Sequence, residues 1–179
     1  MKEAKLQSRY AQSLYTLAEE KNLVEQVYKD ILSIRNICLN DREFQLLLKN
    51  PVVKPSLKKQ IITSVCSADC QQLTIKFLDF IVEKRRDIYL LGICDEFLEI
   101  YYREHNIKKA SLIVSKEISL ATEQRIKEVL QQEFDSTIDL ETKVDENILG
   151  GFSLCIDGKL YDASYRKKLE DLKKELLCN

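Results

Sequence analysis

From Leu6 to Tyr101, apolar residues recur every three or four positions, the spacing of helices with one face turned inward. Leu6, Tyr10, Leu14 and Leu17 share a face of a first helix, and Val24, Val27, Ile31, Ile34 and Cys38 form the stripe of a second. Asn40 and Glu43 have the spacing of a capping box, which opens a short third helix carrying Phe44, Leu47 and Leu48. Asn50-Pro51 ends that helix, because a residue before proline disfavours the helical conformation. Pro55 suits the first turn of a fourth helix, with Leu57, Ile61 and Val65 inward. The fifth, from about Asp69 to Arg85, is apolar on two sides: Leu73, Phe77, Phe80 and Ile81 on one, Ile75, Leu78 and Val82 on the other. A helix apolar on two sides needs cover on both. It is either a central core helix or a helix with one face kept for a partner. A sixth, from about Asp87 to His105, carries Leu91, Cys94, Leu98 and Tyr101.

The period changes near residue 107. KASLIVS, from Lys109 to Ser115, is a β-branched run, and a helix with Ile126, Val129, Leu130 and Phe134 follows. IDLETKV alternates, with Ile138, Leu140, Thr142 and Val144 on one side, and reads as a strand with one buried face. Gly150-Gly151 breaks the chain, and FSLCID and KLYD flank Asp157-Gly158, a strong hairpin signal. A last helix carries Tyr165, Leu169, Leu172 and Leu176, with Arg166, Lys167, Lys168, Lys173 and Lys174 outside. The expected fold is mostly α: an N-terminal six-helix bundle over residues 1–105, then a small α+β domain over 106–179 with a β-hairpin and a final helix.

Composition narrows the function. With 28 basic against 29 acidic residues the net charge is -1, which gives nucleic acid or a bare anionic membrane no electrostatic hold. No apolar run reaches membrane-spanning length. The charged, helical start predicts neither a secretory leader nor a transit peptide. The six cysteines fall mostly at apolar positions, where a thiol serves as a small hydrophobe in a reducing compartment. Cys66 and Cys70 are four apart but lack the second ligand pair that zinc needs. The single histidine, His105, sits near a helix end and suits a solvated or capping role. Lys84-Arg85-Arg86 fits a helix C-terminus, where cations meet the negative end of the dipole. There is no phosphate-binding glycine loop, so an enzyme, a cofactor and a bound metal are not expected.

Three segments, in order, resemble one family. RYAQSLYTLAEE is similar to the first helix of the delta subunit of F-type ATP synthases, whose mitochondrial relative is the oligomycin-sensitivity-conferring protein. FLDFIVEKRRDIYLLGICDEFLEIYYREHN resembles the family's fifth and sixth helices. VDENILGGFSLCIDGKLYDASYRKKLEDLKKEL resembles its closing strand, paired glycine, hairpin and basic-leucine helix, with Gly150, Gly151, Asp157, Gly158, Asp162 and Ser164 matching. Ala163 stands where the family usually has glycine, and Lys84-Arg85-Arg86 where an Asn-Gly-Arg-like turn is common.

The resemblance implies a non-catalytic stator subunit on the cytoplasmic face of a bacterial inner membrane, peripheral and without a span of its own. Its bundle would bind N-terminal segments of the alpha subunits of the catalytic head, and its C-terminal domain the b-type stalk subunits. The subunit would hold the head against rotor torque during proton-driven ATP synthesis. Tyr10, Leu14 and Tyr15 of the first helix and Phe77 and Phe80 of the fifth, with Lys84 at the rim, would form a groove for an amphipathic partner helix. For each of these residues, plain bundle core is the other reading. Gly150 and Gly151 are assigned to backbone geometry, and Asp162 or Ser164 to capping the last helix. The rival function is a helical adaptor that binds an amphipathic peptide in an unrelated complex.

Overall fold

A computed structural model describes residues 2–66 and 70–177. The expected helix start at Asp69, the side chains of Cys66 and Leu176, and Cys178 lie outside what is described. The chain is mostly helical, with a small four-stranded sheet and a final helix towards its C-terminus. It divides into two compact units, Met1–Tyr102 and Arg103–Asn179.

Six helices precede the first strand among the described residues: α1 (Lys2–Glu20), α2 (Val24–Asn40), α3 (Arg42–Lys49), α4 (Pro55–Cys66), α5 (Gln72–Glu83) and α6 (Leu90–Glu104). The helix with the widest buried face is α6 rather than α5. Leu90, Ile93, Cys94, Phe97, Leu98, Ile100, Tyr101 and Tyr102 are all inside, whereas Leu91 of the expected stripe is half-buried. α1 meets α6 through Tyr15 on Phe97, with ring centroids 5.9 Å apart. α2 meets it through Tyr28 stacked on Tyr101 at 3.9 Å and through the Arg35–Asp95 ion pair at 2.6 Å. The Tyr101 hydroxyl donates to Glu25. Burial and that carboxylate push it above the ordinary phenol range.

α2 packs as its stripe predicts, with Val27, Ile31, Ile34 and Cys38 buried. Three expectations shift by about one residue. In α1 the buried face is Ala11, Leu14, Tyr15 and Ala18, and Leu17 is exposed. The two alanines carry too little apolar area to stand out in a pattern of large residues. The cap of α3 is Asp41, not Asn40: its carboxylate accepts from the backbone N–H groups of Glu43 and Phe44. In α4, Leu57 and Val65 are exposed and Ile61 is half-buried, while Lys58 and Ile62 point inward. The reason is an ion pair. The Lys58 ammonium donates to Asp87 and to the Leu48 carbonyl, and both charged side chains are buried. A charge taken from water must be paired and hydrogen-bonded, so this pair fixes which way α4 faces.

α5 ends in a Schellman motif. Arg86 N–H donates to the Ile81 carbonyl and Arg85 N–H to the Val82 carbonyl, and Arg85 has φ 54°. Arginine therefore holds the left-handed position that suits glycine.

The second unit places β1 (Ile107–Val114), α7 (Leu120–Phe134), β2 (Thr137–Val144), β3 (Phe152–Ile156), β4 (Lys159–Asp162) and α8 (Tyr165–Leu177) in that order. The sheet order is β2-β1-β3-β4. β1 and β2 run parallel, joined through α7, and the other pairs are antiparallel. Ala110, Leu112, Val114, Ile138, Leu154 and Ile156 form the core with Leu130 of α7, while Ile126, Phe134 and Leu140 pack at its edge. Val129 and Val144 of the expected stripes are exposed. Asp157 and Gly158, at φ 48° and 74°, turn the β3–β4 hairpin in two residues.

Gly150 and Gly151 have φ 149° and 73°. A Cβ on Gly151 would stand 2.4 Å from the Ala163 carbonyl oxygen, so backbone sits where a side chain would go. Ser164 caps α8 by accepting from the Lys167 N–H, and the Asp162 carboxylate accepts from the Ser164 N–H. Hydrogen bonds from Ser164 hold the Asp162 carboxyl below the usual carboxylate range.

Two stability measurements check this account. Lys58→Ala strips Asp87 of its partner inside the protein and should cost about 3–5 kcal/mol in urea unfolding. Arg85→Gly relieves the left-handed strain and should raise stability by up to about 1 kcal/mol.

Candidate partner-binding site

The flanks of α1 and α5 meet in an aromatic contact. Tyr10 and Phe80 have ring centroids 6.0 Å apart, tilted by 39°, within the separation over which aromatic pairs attract. The Lys84 ammonium lies 5.6 Å from the centre of the Phe80 ring and attracts its π-face. Phe80 is nonetheless 43% exposed and Leu17 39% exposed, and Tyr10 and Phe77 are half-buried.

Helical geometry explains this. At 100° per residue, Tyr10 and Leu17 lie about a quarter-turn from the face that α1 buries. Phe77, Phe80 and Lys84 lie a similar angle from the buried face of α5, which is Leu73, Thr74, Leu78, Ile81 and Val82. Where they touch, the two flanks leave partly exposed apolar surface, here called the furrow, with a cation at one end. Outside it, Arg9, Gln12, Ser13, Thr16, Leu17 and Glu20 line a shallow depression of about 520 Å³ on the outer side of α1. At the other side Lys59 of α4 pairs with Glu83 and holds its carboxyl below the usual range.

The expected site residues therefore separate. Tyr10, Phe77, Phe80 and Lys84 line the furrow. Leu14 and Tyr15 do not: at 1% and 5% exposure they belong to the core beneath it. Leu17, read from its spacing as core, lies on the furrow's flank instead.

The second unit has an apolar face of a different kind. Tyr165, Leu169 and Leu172 of α8 are 56%, 56% and 55% exposed, and Leu149, Phe152 and Val144 are exposed as well. The start of α8 is tied back by Tyr165 N–H donating to the Gly150 carbonyl, but its leucine stripe faces solvent. Among the described residues no group of three or more His, Cys, Asp or Glu side chains is placed to hold a metal ion, and no helix is long and apolar enough to cross a membrane.

Comparison with known proteins covers nearly the whole chain. The family model for the ATP synthase delta (OSCP) subunit matches residues 6–176. The ATP synthase subunit delta of Clostridium botulinum is 32% identical over 174 residues, 96% of each chain. The sodium ion specific subunit delta of Ilyobacter tartaricus is 29% identical over 170 residues, 95% of this chain and 97% of that one. Among solved structures, a chain in the cryo-EM structure of the Toxoplasma gondii mitochondrial ATP synthase hexamer superposes with a TM-score of 0.75 at 26% identity, covering 96% of this chain and 97% of the other. A match of this extent to sequences and to a solved structure, spanning both the helical unit and the sheet unit, means that the chain belongs to the ATP synthase delta (OSCP) subunit family.

Proposed function

We infer that the chain is a non-catalytic stator subunit of an F-type ATP synthase, a connector between the catalytic head and the peripheral stalk. The observation that carries this is family membership over both units, 6–176 of the chain. Its six N-terminal helices act as one bundle that docks on the head. The furrow between α1 and α5 takes an amphipathic helix from the N-terminus of an alpha subunit. Such a helix lays its apolar face into a hydrophobic groove, here on Tyr10, Leu17, Phe77 and Phe80, with Lys84 at the end for an acidic group. Leu14 and Tyr15 act from below, by holding α1 on α6.

The C-terminal unit takes the b-type stalk subunits. The exposed Tyr165, Leu169 and Leu172 stripe supports this, because a helix with an uncovered apolar stripe gains by packing on another helix. The subunit is peripheral, at the cytoplasmic face of a bacterial inner membrane. Its mechanical task follows from having two attachment surfaces: torque on the head passes through the chain to the stalk, and the chain needs stiffness rather than reactive groups.

The docking half of this reading is tested with the full-length chain and a synthetic peptide copying the N-terminus of the alpha subunit from the same organism. Phe80→Asp puts a charge into the furrow and removes the contact with Tyr10. It should weaken calorimetric binding by about 2 kcal/mol or more, while circular dichroism stays helical. Unchanged affinity would remove Phe80 from the site, and lost helicity would make it a core residue.

A further inference from the structure

We propose that Asp30, on α2, is a positioning residue for the α1–α5 furrow: its carboxylate fixes where α5 begins and so holds Phe77 and Phe80 beside Tyr10. The proposal rests on the docking reading above and adds to it a residue that touches neither the furrow nor its occupant.

α5 does not cap itself. Gln71 occupies the N-cap position with extended backbone, its side chain makes no capping bond, and the first turn has no acidic residue. The first N–H groups of a helix have no partner within it and need one from elsewhere. Asp30 supplies it from forty-one residues away. Its Oδ2 accepts from the Gln71 N–H at 2.8 Å and from the Thr74 hydroxyl at 2.5 Å. Asp30 is buried and Thr74 is fully so. Negative charge at this end of a helix also interacts favourably with the helix dipole. Among the described residues no lysine or arginine pairs with Asp30, so the start of α5 is what receives its carboxylate.

Asp30 itself is held firmly. It stands among Val27, Ile31 and Ile34, which are buried and anchor α2 in the core. The bond thus transfers the position of α2 to the first turn of α5. From Thr74, Phe77 is one turn along and Phe80 two. A helix is stiff over that distance, and sliding it by one residue turns its side chains by about 100°. Such a slip would carry Phe80 off Tyr10 and close or flatten the furrow. At the other end of α5 the Schellman turn and the Lys59–Glu83 pair limit fraying, but both are exposed. The buried anchor is the one at the N-terminus.

The test uses the full-length chain and the same alpha-subunit peptide, titrated by calorimetry, with unfolding temperatures recorded alongside. Asp30→Ala should weaken binding about ten-fold or more, the cost of orphaning buried donors expressed at the furrow. Asp30→Asn keeps an acceptor oxygen for both donors and should restore affinity to within about three-fold. Val27→Ala cuts the same helix's core and leaves the Asp30 carboxylate and its two donors in place. It should lower the unfolding temperature yet leave affinity within about three-fold. If Asp30→Ala does not fold, Thr74→Val, which removes one donor from the pair, carries the test and should lose several-fold in affinity. Hydrogen exchange should quicken at the first turn of α5 in the Ala and Val variants. Unchanged affinity in Asp30→Ala or Thr74→Val would overturn the proposal, as would an equal loss in Val27→Ala, since binding would then follow global stability. Absence of binding by the unsubstituted chain would instead overturn the docking reading itself.

Discussion

The broad buried face of α6 governs the first unit. A helix with Phe97, Ile93 and Cys94 fully enclosed needs neighbours over that whole face, and those neighbours turn their largest apolar faces to it. α1 contributes Tyr15 to Phe97, and α2 contributes Tyr28 to the Tyr101 ring and Arg35 to Asp95. What remains on the flanks of the outer helices is then uncovered. Tyr10 and Leu17 on α1 and Phe77 and Phe80 on α5 are such leftovers, and Tyr10 meets Phe80. The furrow is a consequence of how the core is built, which is why no separate motif announces it. Burying an aromatic pair of this kind contributes only about 0.5–1.5 kcal/mol beyond its area. The larger gain comes from the apolar area that is still exposed, which a partner would cover.

The proposed connector role needs two attachment surfaces, and each unit leaves apolar residues exposed. They differ in kind. The furrow is an aromatic contact between two helices, with a lysine at one end. The α8 stripe is a bare ridge of Tyr165, Leu169 and Leu172 flanked by lysines. Neither demands acid–base or metal chemistry. Buried polar groups in the chain are used instead for alignment: Lys58 with Asp87 orients α4, and Asp30 with Thr74 and Gln71 N–H sets the start of α5.

Those polar pairs also mark the limit of what periodicity conveys. The α2 stripe was readable because its inward residues are large and regularly spaced. α1 misled because Ala11 and Ala18 share its buried face, so Leu17 looked internal and Tyr15 looked available. α4 misled because its inward positions include a lysine, and a charged residue in an apolar stripe reads as solvent-facing until its partner, here twenty-nine residues on, is known. Asp30 carried a similar signal, a carboxylate set between Val27 and Ile31, but spacing along the chain does not reveal that it serves another helix. In the second unit the Asp157-Gly158 turn was legible because two left-handed residues in a row permit few other structures. The parallel pairing of β1 with β2 was not, since register between strands separated by a helix depends on packing of α7 on the sheet. The Arg85 turn shows the same limit: the Schellman bonds form around a residue that local preference argues against.

The most direct test of the connector account measures two activities in one sample. Membranes depleted of this subunit should hydrolyse ATP at an undiminished rate, because the head turns over whether or not it is held. They should not acidify their vesicles, because a head free to spin with its shaft delivers no torque to the proton channel. Adding back the full-length chain should restore proton uptake without raising hydrolysis in proportion. Undiminished proton uptake in the depleted membranes would contradict the account, since the head would then be held by something else.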